Sequence, residues 1–180
     1  MTVVSPDGRD IWVDDLRRGT STRLTDDGTS HFPAWPLDGA RVFFSSGTPG
    51  LYGLYSRAAD ASDERATLLT NELSLFPFSW TPDGQALSFV QLDSWVTGSI
   101  WTVSPAGDRV PYLVTPFAER NPDLSPNGQW MAYQSDESGQ QEVYIQRYPD
   151  PELGGKVTVS TGVGSNRSGP LTAASSSIAT

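Results

Sequence analysis

A short turn-like segment occurs three times at nearly equal spacing, and this repeat constrains the fold more than any other feature of the sequence. Its copies are residues 35–39 (WPLDG), 80–84 (WTPDG) and 124–128 (LSPNG), so the glycines lie 45 and 44 residues apart. After each copy, apolar side chains occupy alternate positions: Val42 and Phe44, Leu87 and Phe89, Met131 and Tyr133. A period of two residues predicts a β-strand that buries one face.

Each repeat contains four such apolar segments separated by turn-rich gaps. In the second repeat the predicted strands cover about residues 76–80, 86–91, 99–104 and 112–115. A period of about 40 to 45 residues with four strands is typical of β-propeller blades, in which each small sheet packs against its neighbours. The sequence therefore predicts an all-β fold with blades of four antiparallel strands, at residues 31–75, 76–119 and 120–161.

The two ends of the chain do not contain complete repeats. Residues 1–30 are predicted to be a partial blade, because only its third and fourth strands align and the Pro-Asp-Gly at residues 6–8 lies too close to Trp12 for a second strand to follow. Residues 162–180 are rich in serine and alanine and are expected to be a disordered tail. About three and a half blades are fewer than the roughly four to eight that close a propeller. We therefore expect an incomplete propeller, a fragment or half of an assembly, whose open outer blades make the isolated chain self-associate.

The repeated segment has the residues that a tight turn between two strands needs. Pro82 fixes φ near about −65° at the second turn position, Asp83 suits the third, and Gly84 can adopt a positive φ. The tryptophans just before the turn are interpreted as wedges between blades. In the third copy an asparagine replaces aspartate, which keeps the hydrogen bond to the turn but loses the charge, and this argues against an acidic catalytic or metal-binding ring. The predicted structural motif comprises Trp35, Asp38, Gly39, Trp80, Pro82, Asp83, Gly84, Pro126, Asn127 and Gly128.

The segment and its alternating strand resemble the WD40-like PD40 repeat of the TolB family. The resemblance covers residues 31–161 and is closest at residues 121–135 (NPDLSPNGQWMAYQS). It implies a non-catalytic bacterial propeller that binds a protein or peptide through its loops and central channel. Similar repeats also form the substrate-gating propellers of tricorn-like and prolyl-oligopeptidase-type peptidases and the sensor regions of bacterial serine/threonine kinases. On that alternative the catalytic domain would lie outside this chain, which contains neither a kinase glycine-rich loop nor a Gly-x-Ser-x-Gly elbow.

Composition and charge exclude several other classes of function. The net charge is −9 and no run of Lys or Arg occurs, so nucleic acid is not an expected partner. The sequence has no apolar stretch long enough to span a membrane and no signal peptide, although a longer parent could carry one and be periplasmic. There is no cysteine and no cofactor or metal motif, so no disulfide, metal or cofactor is predicted.

Three residues are candidates for a contact surface. His31 is the only histidine and lies just before the first strand of its blade, near a blade end where propellers bind ligands. With Ser30 and the upstream carboxylates it could be drawn as a nucleophile, base and acid, but sequence neighbours rarely form that geometry, so a capping histidine is the favoured interpretation. Asp136 and Glu137 lie in a predicted hairpin loop and are candidate partner contacts. The acidic pairs at 26–27 and 14–15 are interpreted as solvated turn residues.

Overall fold

The computed structural model describes residues 2–5, 8–93 and 97–160, with side chains from residue 8 onward. Within these residues the fold is all-β and consists of four antiparallel sheets, one of three strands and three of four strands. A 3₁₀ turn at Pro151–Leu153 is the one helical element among the described residues. None of the described helical structure has the length and apolar character needed to cross a membrane. The predicted fold class is confirmed.

Each sheet is a meander in which consecutive strands are neighbours. Sheet 1 contains β1 (Thr2–Ser5), β2 (Gly8–Asp15) and β3 (Thr20–Arg23); sheet 2 contains β4 (His31–Ala34), β5 (Arg41–Thr48), β6 (Leu51–Ala58) and β7 (Ala66–Leu69). Sheet 3 contains β8 (Ser74–Trp80), β9 (Leu87–Leu92), β10 (Gly98–Val103) and β11 (Arg109–Leu113); sheet 4 contains β12 (Arg120–Leu124), β13 (Trp130–Ser135), β14 (Glu142–Arg147) and β15 (Val157–Thr158). The first strands of sheets 2, 3 and 4 contact one another in turn, which is the radial arrangement of propeller blades.

The turn between the first and second strands has the same geometry in sheets 2, 3 and 4. Its glycine has φ values of 62°, 69° and 67° at Gly39, Gly84 and Gly128. In each turn the glycine N–H donates to the carbonyl three residues earlier, and the side chain before the glycine accepts from the amide two residues later. Asn127 makes this last bond at 3.1 Å without a charge. The segment thus forms the same hydrogen-bonded turn in all three sheets.

Three apolar cores lie between successive sheets. Ile11 and Leu24 of the N-terminal segment pack against Val42 and Phe44 of sheet 2. The opposite side of sheet 2 packs against sheet 3, and sheet 3 packs against sheet 4. Strands β5 and β9 therefore bury residues on both faces, not on one face as the alternating pattern predicts. The reason is that an inner blade has a neighbour on each side.

Two details differ from the predicted strand positions. Sheet 1 has three strands where two were predicted, because Thr2–Ser5 pairs with β2. The fourth strand of sheet 3 lies at Arg109–Leu113, and a bulge between Ile100 and Trp101 shifts its register against β10. Pro6 and Asp7 of the first Pro-Asp-Gly, and the predicted tail at 162–180, lie outside the described residues.

Candidate functional site

The first strands of sheets 2, 3 and 4 form a continuous surface. Each pairs with a second strand along one edge only, so its other edge is open. Large apolar side chains lie on this surface, and Phe32, Trp35 and Leu37 are 47%, 41% and 81% exposed. Phe78 of sheet 3 connects them, since its ring centroid lies 6.3 Å from that of Phe32 and it lines a groove together with Trp35. We call Phe32, Trp35, Leu37 and Phe78 the inner wall.

An aromatic cluster forms one end of the inner wall. His31 lies edge-on to Tyr52 at 4.6 Å and tilted to Phe32 and Phe76 at 4.9 and 5.7 Å. Phe32 also contacts Phe76 at 5.3 Å. Edge-to-face and tilted ring pairs at these distances are favourable and hold the cluster in one arrangement. The cluster joins sheets 2 and 3 and leaves half of the Phe32 ring open to solvent.

A hydrogen bond ties the His31 ring to the loop before β4. Its Nδ1 lies 3.0 Å from the carbonyl oxygen of Thr29. Because a carbonyl oxygen can only accept, Nδ1–H donates this bond. Burial lowers the pKa of His31 below its usual value, against the opposing effect of this bond. Ser30 Oγ instead donates to Asp27 Oδ1 at 2.9 Å. The serine, histidine and carboxylate that the sequence places side by side are therefore not arranged as nucleophile, base and acid.

The backbone at Phe32 adopts a conformation that bulky residues rarely occupy. Its φ is 55°, and Asn121, at the same place in the bulge of β12, has φ of 50°. Asparagine tolerates the left-handed region, whereas an aromatic residue pays a strain cost there. Phe32 thus combines a rare backbone conformation with a ring that is half-exposed and packed on its other side against the aromatic cluster.

The groove at the other end of the inner wall has a volume of about 350 Å³. Its lining comes from three sheets: Trp35, Leu37, Phe78, Ser79, Trp80, Pro82, Asp123, Leu124, Ser125 and Pro126. Trp80 packs edge-on against Phe43 at 4.7 Å in the core between sheets 2 and 3, as a wedge does. Trp35 differs from Trp80, because 41% of it is exposed and it is not part of that core. Desolvation raises the pKa of Asp123 above its usual value.

Asp136 and Glu137 have partners within sheet 4 and the loop before it. Asp136 Oδ1 accepts the backbone N–H of Ala118 at 2.9 Å, and Glu137 Oε2 pairs with Lys156 Nζ at 2.5 Å. Across the described ranges, no hydrogen bond, ion pair or ring contact joins either residue to His31. His31 therefore lies at one position, and Asp136 and Glu137 lie at another, each with its own partners.

Sequence reasoning missed a polar connection between the blades. Asp27 accepts hydrogen bonds from Ser46 Oγ at 2.7 Å and from Arg65 Nη1 at 2.6 Å, so it is not a merely solvated turn residue. The Arg65 guanidinium also lies over the Tyr55 ring at 4.6 Å. Sheets 3 and 4 repeat this contact with Arg109 over Trp101 and Lys156 over Tyr144. The number of residues between the basic residue and the aromatic residue varies from sheet to sheet, so no fixed sequence pattern reveals this cation–π contact.

The radial four-stranded sheets, their repeated turns and their inner first strands define the class of the protein: it is an incomplete β-propeller. Its fold is similar to that of TolB from Acinetobacter baumannii, with a TM-score of 0.72 and 20% identity over 88% of this chain. It is also similar to an oligogalacturonate lyase solved in complex with manganese (TM-score 0.64, 20% identity, 84% of this chain) and to a prolyl endopeptidase (0.61, 16%, 87%).

The chain spans 39%, 42% and 27% of the lengths of these three proteins. The resemblance to TolB that the repeated segment indicates is thus confirmed at the level of the fold. No protein-family model matches the sequence. No curated protein matches it either.

Proposed function

We propose that this chain is part of a non-catalytic β-propeller scaffold that binds a protein or peptide along the inner wall. The observation that carries the proposal is the exposed apolar stripe formed by Phe32, Trp35 and Leu37. Solvent-exposed large apolar side chains that are contiguous mark binding sites more often than those scattered singly. Aromatic side chains in such a patch supply most of the binding energy of protein interfaces.

A polypeptide ligand suits this surface because the surface offers backbone groups for hydrogen bonding and apolar rings for side-chain contacts. Among the described residues no strand pairs with the outer edges of β4, β8 and β12, so their backbone groups can pair with another chain, apart from the Leu124 N–H that donates to Ser79 Oγ. The rings of Phe32, Phe78 and Trp35 offer flat apolar contact to side chains of that ligand. The cluster around His31 holds Phe32 in place before binding, which lowers the entropy cost of association.

The scaffold role is supported by the bonds of the polar residues nearest the wall. The side-chain hydrogen bonds of His31 and Ser30 go to Thr29 and Asp27, where they stabilise the loop between sheets 1 and 2. The alternative is a propeller segment that gates substrate or senses a ligand for a catalytic domain elsewhere, and the similarity to lyase and peptidase folds supports it at the level of fold. Sequencing the reading frame on both sides tests this, since an adjoining catalytic domain would favour the alternative.

A peptide-display selection on the immobilised chain tests the scaffold proposal. We expect enriched peptides that bind the wild-type chain and bind Phe32→Ser and Trp35→Ala at least about tenfold more weakly. Leu16→Ser is the matched control, because Leu16 is 93% exposed in the turn between β2 and β3. A selection without enrichment, or peptides whose affinity is the same for all variants, would contradict the proposal.

A further inference from the structure

The groove at the turn end of the inner wall has an unusual lining. Seven of its ten residues are aromatic, leucine or proline, and the polar ones are two serines and Asp123. Its walls come from three successive sheets, with Trp35 from sheet 2, Trp80 from sheet 3 and Leu124 from sheet 4. Ring-shaped side chains make these walls flat and stiff. This lining favours a ligand that is itself flat-sided and extended.

The floor of the groove is fixed before any ligand binds. Ser79 Oγ accepts the backbone N–H of Leu124 at 3.0 Å and so joins sheets 3 and 4. Pro82 packs so closely against Gly128 that a Cβ on this glycine would lie 3.1 Å from the proline Cδ. The turns of two neighbouring blades therefore touch at the groove. A preformed site of this kind binds without the entropy cost of ordering its own walls.

The chemistry of the walls matches a polyproline II segment. Such a helix has no internal hydrogen bonds, and its proline rings form ridges that dock into aromatic-lined grooves. Trp35 is 41% exposed, and no hydrogen bond of its indole N–H is found within residues 8–93 and 97–160. It can therefore donate to a carbonyl oxygen of the ligand while its ring packs against a proline.

The charge of the groove indicates which charge the ligand carries. Asp123 is the one charged residue in the lining, and no lysine or arginine of the described part of the chain forms an ion pair with it. A basic side chain on the ligand would complement this carboxylate. We infer that the groove between Trp35, Trp80 and Leu124 binds an extended proline-rich peptide segment that carries a lysine or arginine. This inference rests on the proposed function and names its ligand class.

Fluorescence anisotropy with short labelled peptides tests the inference on the full chain. The peptides are a polyproline with a central lysine, the same peptide with glutamate in place of lysine, and an alanine–serine peptide with the same lysine. We expect the first to bind best, the glutamate peptide to bind less tightly, and the alanine–serine peptide to bind at least about tenfold more weakly. Trp35→Ala should weaken binding of the first peptide at least about tenfold.

Asp123→Asn gives an independent second test, because it removes the charge and keeps the size of the side chain. It should weaken binding of the lysine peptide by about twofold to fivefold and remove the preference over the glutamate peptide. Leu16→Ala is the matched control and should bind like the wild type. Near-ultraviolet circular dichroism of each variant shows that the fold is retained.

Two results would overturn the inference. The first is equal binding of the proline and alanine–serine peptides, and the second is proline-peptide binding that neither Trp35→Ala nor Asp123→Asn changes. If display selection still enriches other peptides that depend on Phe32, the scaffold proposal stands and the ligand class is wrong. If no peptide binds in either experiment, both proposals fail.

Discussion

Sheets 3 and 4 have the same strand order and the same turn, yet their central strands are buried differently. In β9 the side chains of Leu87 and Phe89 pack toward sheet 2, while Val90 packs toward sheet 4. In β13 only alternate residues are buried, and Trp130 remains partly exposed. The difference arises from the neighbours of each sheet, since sheet 4 has a described neighbour on one side only. A blade of this type is therefore completed by the sheets beside it.

The open face of sheet 4 also differs in chemistry from its buried counterpart. Gln134 occupies the position in β13 that Val90 occupies in β9, and it accepts a hydrogen bond from Asn121 Nδ2 at 2.7 Å. The Arg147 guanidinium lies 4.4 Å over the ring of Trp130 and shields it. Between these polar groups Ile145 is only partly buried. The face is thus more hydrophilic than an inner one but retains an apolar centre.

Truncation of one buried residue in each sheet should give the largest contrast. Phe89 is fully buried between sheets 2 and 3, so Phe89→Ala is expected to lower the free energy of unfolding by about 3 to 5 kcal/mol. Ile145→Ala should cost about 1 kcal/mol or less at protein concentrations low enough to keep the chain monomeric, because the side chain is only partly buried. Urea denaturation followed by tryptophan fluorescence measures both. Equal losses at these concentrations would show that Ile145 is buried within the monomer.

The polar connection between sheets 1 and 2 should contribute a smaller amount. Burial, which alone would raise the pKa of Asp27, is outweighed by hydrogen bonds from Ser46, Thr29 and Ser30 and by Arg65, so the pKa lies below its usual value. Such a carboxylate stabilises the fold above its unfolded pKa, and the effect is lost as the pH falls through the folded pKa. Asp27→Asn should therefore cost about 1 to 2 kcal/mol at pH 7.

The pH dependence distinguishes this charge effect from a simple loss of packing. The difference between Asp27→Asn and the wild type should shrink as the pH falls below about 4. Asp26→Asn, one residue earlier and exposed, serves as the control and should change stability little at either pH. A cost for Asp27→Asn that is the same at every pH would show that its charge is not involved.

The repeated turn could be predicted from the sequence more fully than any other part of the fold. Its turn depends on local chemistry, namely the proline, the Asx side chain and the glycine, so the sequence carries it directly. The double-sided burial of β5 and β9 was missed because it depends on how many neighbours a sheet has. The strand Thr2–Ser5 was missed because the first Pro-Asp-Gly was compared with the first-to-second turns, whereas Gly8 begins the strand that follows β1.

The candidate site was less open to prediction than the fold. His31 is a candidate because it is the only histidine in the sequence. Its hydrogen bond to the Thr29 carbonyl depends on the geometry of the loop, which the sequence does not reveal. Trp35 and Trp80 both precede the repeated turn and both line the groove, yet only Trp80 also packs against the core between sheets 2 and 3. The neighbouring sheets decide between these two environments. No pattern within a single repeat contains that information.

Self-association would reveal whether the open face of sheet 4 finds a partner. We expect the wild-type chain to form oligomers in sedimentation velocity experiments, because a sheet face with an apolar centre and no described neighbour favours contact with another molecule. Ile145→Lys should weaken this association by about tenfold, or about 1.4 kcal/mol, since it places a charge at the centre of the face. Leu16→Lys is the control for added charge. A monodisperse wild-type monomer would contradict the expectation.

The smallest expected effect concerns Glu119, which lies before β12 and is 1% exposed. Its Oε1 accepts a hydrogen bond from Thr115 Oγ1 at 2.6 Å, and burial raises its pKa above the usual value. The sign is opposite to that of Asp27: the folded state holds this proton more tightly than the unfolded state does. Stability is therefore highest below the unfolded pKa of about 4.3 and falls as the pH rises through the folded pKa.

Replacing Glu119 by glutamine removes this pH-dependent loss. Compared with its effect at pH 4, Glu119→Gln should add about 1 kcal/mol to the free energy of unfolding at pH 7. Glu64→Gln is the matched control, because Glu64 is exposed and should show no such difference. Urea denaturation at the two pH values measures both variants. A Glu119→Gln effect that is the same at pH 4 and pH 7 would mean that Glu119 ionises in the folded state at no cost to stability.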